Sequence, residues 1–276
     1  MFMKIKRLPI IIRLLLCSLL LTGCSSQPLQ EPEKWAMVEE KVMTFSDGES
    51  VNLWRRGPFG HAAYKLSNET TLLLVQDPAG PANVYVGGVE SLDDLSESAQ
   101  RAVCAFYEEQ GLLYNVQSEL ENAYAEYLAC QDKGTLFHEH YISQDIVPTA
   151  SNDSIICFLT SVILPVNGQM AQEVHLGAVF SRETGEVLNN WELFSLPEEE
   201  ARRRLLDAFN IGDPALRKEM QAALKPEYII LFPDNLDVTF PRGTLPSQED
   251  SYTIGISYDE LQGVIQSWAI PNSDGT

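Results

Sequence analysis

The chain is poor in basic residues, in histidine and in usable cysteine, and each shortage removes a class of function. Only 19 of its 276 residues are Lys or Arg, against 39 Asp or Glu, for a formal charge of −20. Phosphate binding needs a basic patch, so nucleic acid is not an expected partner. The four histidines are His61, His138, His140 and His175. There is no P-loop, GxGxxG, GxSxG or HExxH, so no cofactor is expected. There are five cysteines and no CxxC pair. Cys17 and Cys24 lie in the N-terminal segment, leaving the odd set Cys104, Cys130 and Cys157. That is no disulfide framework, and buried free thiols are the plainer reading.

A run long enough to span a membrane is also missing. The oily stretch Leu14–Leu21 is too short for the roughly 20 apolar residues that a span requires, and Arg13 interrupts the residues before it. A charge that deep costs about 2.5–3.5 kcal/mol on insertion scales. What the first 23 residues do have is the layout of a secretory signal. Lys4, Lys6, Arg7 and Arg13 form the basic region, the oily stretch comes next, and small residues close it.

Leu21-Thr22-Gly23-Cys24 resembles a bacterial lipobox. The resemblance implies that the Cys24 thiol receives a diacylglycerol and that the chain is cut before it. Two or three acyl chains make a lasting anchor where one does not. The expected partner is therefore the lipid bilayer, through acylated Cys24, and the expected location is the extracytoplasmic face of a cell membrane. Removing four basic residues with the signal leaves 15 Lys and Arg against 39 acids, a formal charge of −24. Such a body favours cationic partners or simply remains soluble.

The expected organisation is a signal at residues 1–23, a tether at 24–34, an N-terminal α/β module at 35–145 and a C-terminal α+β domain at 146–270. The tether SSQPLQEPEK reaches at most about 35 Å when extended. Strands are expected at 71–75 and 84–86 around Asp77-Pro78-Ala79-Gly80-Pro81. A helix capped by Ser91 carries the stripe Leu95, Ala99, Ala102, Val103, Phe106 and Tyr107 and stops at Gly111. A second carries Val116, Leu120, Ala123, Tyr124, Tyr127 and Leu128 and ends near Gly134. Further strands are expected at 136–142, 155–164 and 174–181, the middle one apolar enough for burial on both faces. Capping boxes are read at Ser195–Glu198 and Ser257–Glu260, and Asp213-Pro214 opens another helix. Paired strands are expected at 228–232 and 236–240, and a last one at 251–257. The order does not repeat βαβα. The expected fold class is therefore α+β, a mixed and mainly antiparallel sheet with helices packed on it.

The runs VHLGAVFSRETGEVLNNWELF and PEYIILFPDNLDVTFPRGTLPSQEDSYTIGISYDELQGVI resemble a bacterial domain of unknown function. It occurs in the extracellular part of the RsiV-type, lysozyme-sensing anti-sigma factors and beside some polysaccharide deacetylases. The resemblance covers roughly residues 90–266. It implies an extracytoplasmic module that binds a ligand or partner, with a cationic secreted protein such as a muramidase as the first candidate. It carries over no catalytic residue. The chain departs from the anti-sigma factors in lacking a cytoplasmic segment and a span, and from the deacetylases in lacking their metal-binding domain.

One constellation suggests metal chemistry. On a strand, His138 and His140 would point to the same side, with His175 or a carboxylate as a third zinc ligand. A solvated strand face is the plainer reading. Carboxylates such as Glu227, Asp234 and Asp237 are numerous enough to pair by chance, so a cell-wall or carbohydrate hydrolase is the alternative function. Arg202-Arg203-Arg204 is read as balancing Glu198–Glu200 one turn earlier.

Overall fold

The computed structural model describes residues 34–56, 61–76, 92, 95–166 and 169–271. The segment expected to be a signal, Cys24, the strand expected at 84–86 and the expected Ser91 cap lie outside the described residues. From Trp35 onward the chain forms one compact unit. Its class is α+β, as the sequence led us to expect.

Eight strands form one sheet in sequence order. They are β1 (Trp35–Thr44), β2 (Ser50–Arg56), β3 (His61–Leu66), β4 (Thr71–Gln76), β5 (His140–Ser151), β6 (Ile155–Val166), β7 (Gln169–Ser181) and β8 (Val187–Leu188). All neighbours are antiparallel except β4 and β5. A parallel pair needs a long crossover, and here α1 (Glu97–Gln110) and α2 (Val116–Lys133) provide it. After the sheet come α3 (Glu198–Ala208), α4 (Pro214–Ala223) and a second, antiparallel sheet of β9 (Ile229–Leu231), β10 (Asn235–Phe240) and β11 (Tyr252–Ser257).

β6 shows why the apolar run at 155–164 had to be central. It lies between β5 and β7, and successive side chains point to opposite faces. Ile156 and Phe158 join Leu95, Ala99, Val103, Tyr107, Ile146 and Phe180 under α1. Ile155 and Cys157 face the other way, into a core built with α3, α4 and the second sheet. A third cluster seats Leu120, Ala123 and Tyr124 of α2 on Val51, Leu72, Leu73 and Ile142.

The two long helices are stopped by glycine. Gly111 and Gly134 both have positive φ, and Gly134 is left-handed after the last turn of α2. The α1 start is corrected. Ser96 caps it by accepting from the Ala99 N–H at 3.2 Å, so Leu95 precedes the helix.

The strand expected at 136–142 begins only at His140 and runs on to Ser151, through the expected border at 145/146. Buried Ser143 and Gln144 interrupt the apolar pattern that would have announced it. Gln144 is satisfied by the loop after α1, accepting from the Leu113 N–H and donating to the Gly111 carbonyl. Pro148 is tolerated where the register shifts against β6.

The Ser195 capping box does not form. Ser195 Oγ donates instead to the Gly263 carbonyl at 2.7 Å, and α3 starts at Glu198 without a side-chain cap. Ser257 Oγ does reach Glu260 Oε2 at 3.2 Å, but it opens only a single 3-10 turn, Tyr258–Leu261. Among the described residues no helix is long and apolar enough to cross a membrane.

Candidate binding surface

Among the described residues, a shallow concave surface lies between α1 and the β7–β8 turn. Ala102, Ala105, Phe106 and Glu109 have helical spacing and share one side of α1. They face Gly185, Glu186 and Val187 across an open trough of about 570 Å3. The turn is held from within. Gly185 N–H donates to the Ser181 carbonyl at 2.8 Å, Ser181 N–H to the Glu186 carbonyl at 3.0 Å, and Glu186 N–H to Thr184 Oγ1 at 3.2 Å. Gly185 has φ +73°, and a Cβ there would lie 2.2 Å from the Ala99 carbonyl oxygen. The turn and the helix backbone are therefore in direct contact, and only glycine fits between them.

Phe106 forms part of the floor. Its ring meets Tyr107 and Phe180 edge-on at 5.0 and 5.2 Å, so its position is set by the core. Val187 is 47% exposed. Glu109 and Glu186 are both solvent-exposed. The trough thus combines an apolar floor with two carboxylates. Sequence reading placed Ala102 and Phe106 in a buried stripe and saw the glycine turn, but nothing local joins residues about 80 positions apart.

The three histidines considered for zinc are not brought together. His138 is exposed ahead of β5 and lies on no strand, so it does not share a strand face with His140. His140 is buried, with Nε2 2.9 Å from Glu126 Oε2. His175 sits on β7 opposite Ser161 of β6. Among the described residues no three His, Cys, Asp or Glu are grouped to hold a metal ion.

His175 has a different setting from the one the zinc reading needs. Its Nε2 is buried without a hydrogen-bond partner. Burial lowers its pKa, and the nearby Asp237 carboxylate opposes that shift. Burial likewise raises Asp237, opposed by a hydrogen bond from Asn235 and by His175. Gly255 leaves room for this carboxylate, since a Cβ there would lie 2.5 Å from Asp237 Oδ1. Elsewhere on the hairpin, Glu227 pairs with Lys225 at 3.9 Å.

The arginine cluster balances the acids before it. Arg202 and Arg203 bond Glu198 and Glu200 at 2.8 and 3.2 Å, and Arg202 also stacks on Trp191. Cys104, Cys130 and Cys157 are joined in no disulfide among the described residues, and are exposed, half-buried and buried in turn.

No family model matches the chain, and no curated protein matches it. Solved structures of two DUF3298 family proteins are similar to it. One, from Pseudomonas aeruginosa PAO1, is 12% identical over 88% of this chain and 98% of its own, with a TM-score of 0.37. The other, from Bacteroides fragilis, is 10% identical over 85% of this chain and 94% of its own, also with a TM-score of 0.37. DUF3298 is an uncharacterised domain.

Proposed function

We propose that the protein is a lipid-anchored, extracytoplasmic binding or sensing module for a protein ligand, without catalysis of its own. The partner to try first is a cationic secreted protein such as a muramidase. The observation that carries this reading is the charge of −24 on the chain after Cys24 becomes its first residue. A field of that sign draws basic proteins and raises association rates by about 10–10³, less so in salt. The lipobox at Cys24 supports the location, and the resemblance to the RsiV-type domain supports a receptor role.

The test takes residues 30–276 without lipid, and lysozyme, in a calorimeter at low and physiological salt. Saturable one-to-one binding that persists at physiological salt is expected. Heat that vanishes as the Debye length falls to about 8 Å would mean charge attraction alone. For the anchor, Cys24→Ala should leave the membrane fraction. A variant that stays there with the wild-type mass would refute acylation.

A further inference from the structure

We infer that the trough between α1 and the β7–β8 turn is a docking surface for a cationic peptide segment of a partner protein. An apolar side chain of the segment lies on Ala102, Ala105, Phe106 and Val187, and flanking Lys or Arg side chains reach Glu109 and Glu186. The inference rests on the reading of the protein as a binding module and gives that module a place and a chemistry.

The floor leaves apolar surface in water. Ala102 and Ala105 are short, so a ligand can approach the backbone of α1 closely, while Phe106 and Val187 present larger apolar surface. Burying such surface favours association. The trough is shallow and open to solvent. A small-molecule site buries about 70–90% of its ligand, which a trough of this shape does not do. A segment carried on a larger protein needs no such enclosure.

Charge selects the segment. Among the described residues lining the trough, the charged ones, Glu109 and Glu186, are both acidic. They stand on opposite walls, one on α1 and one on the turn. A ligand with basic residues on both sides of an apolar one satisfies both walls, and an acidic segment is repelled by both. The walls do not have to be assembled on binding. Gly185 is seated on Ala99, and Phe106 is held by Phe180 and Tyr107. A preformed surface lowers the ordering cost of association.

The experiment uses the full chain in detergent micelles and a fluorescein-labelled KKLFKK peptide, read by anisotropy at 0.15 M salt. E109Q/E186Q is compared with E199Q/D259N, which removes the same charge from exposed positions on other elements. The groove variant should weaken binding at least about tenfold and the control less than about twofold. Equal loss in both, no loss in the groove variant, or no binding by the wild type each overturns the docking surface. Lysozyme is titrated in parallel. If it binds the wild type and E109Q/E186Q alike, the docking surface falls and the binding module stands. If the peptide behaves as expected and lysozyme does not bind, the docking surface stands and the muramidase partner falls.

Discussion

Gly185 of the β7–β8 turn rests on the backbone of Ala99 in α1, two residues 86 positions apart whose contact has no room for a methyl group. Ala99 is wholly buried. This contact joins the first crossover helix to the far edge of the sheet and sets one end of the trough.

Gly185→Ala should therefore be costly twice. It places a side chain at positive φ, and it drives a Cβ into the Ala99 carbonyl. Together these should destabilise by about 2–5 kcal/mol. The thermal midpoint should fall by at least about 5 °C. Unchanged melting would show that the turn does not seat on α1.

Asn190 offers an independent test of the other core. Its buried side-chain amide donates to the Pro226 and Ile229 carbonyls at 2.8 and 3.0 Å, and more weakly to Gly177. Asn190→Ala leaves those acceptors unpaired and should cost about 1–3 kcal/mol in urea denaturation. Asn190→Asp should cost more, because it sets a carboxylate against carbonyl oxygens. Equal midpoints for the two variants would argue against this donor role.

His175 should make stability sensitive to acid. Burial holds its folded pKa below the ordinary 6.5. As pH falls through 6.5 the unfolded chain takes up a proton that the folded one resists, so stability drops. Asp237 acts with the opposite sign in a lower window. Its folded pKa is raised above 3.8, so acidification toward that value favours the folded state. His175→Gln should flatten the decline of the thermal midpoint between about pH 6.5 and 5. Parallel curves for variant and wild type would remove His175 from the account.

Amide exchange should separate the strands. The amides of Ile155–Phe158 lie at the centre of the sheet with side chains buried on both faces. They should exchange only through global opening, orders of magnitude more slowly than those around exposed Leu136. Rapid exchange at Ile156 would contradict a central β6.

Thiol titration tests the cysteines. One group, Cys157, should react only after unfolding, because it is buried against the second core. Cys104 is exposed, yet partial burial and the Glu108 carboxylate raise its pKa. It should label slowly at neutral pH and faster as pH rises. Loss of a reactive thiol in the native protein that reductant restores would indicate a disulfide.

The chain's local chemistry by itself determined several features. The stripes of α1 and α2 (apart from Leu95, which precedes α1, and Leu128, which is exposed on α2), the glycines that stop them, the Asp213-Pro214 start of α4 and the apolar β6 each depend on neighbours within a few residues, where spacing and side-chain type decide the outcome. The proposed lipobox at Leu21–Cys24 is likewise a reading of one contiguous stretch, and it lies outside the described residues. Tertiary structure decided the rest. Whether Ser195 caps a helix or bonds Gly263 depends on which acceptor the fold brings to its hydroxyl. The start of β5 depends on β4 as a parallel partner and on a loop that satisfies buried Gln144. The separation of His138, His140 and His175 could not be read from their spacing, because strand period applies only once a strand exists. The trough joins a helix face near residue 105 to a turn near residue 186, and no local pattern encodes a contact over that distance. Only packing the helix against the sheet creates it.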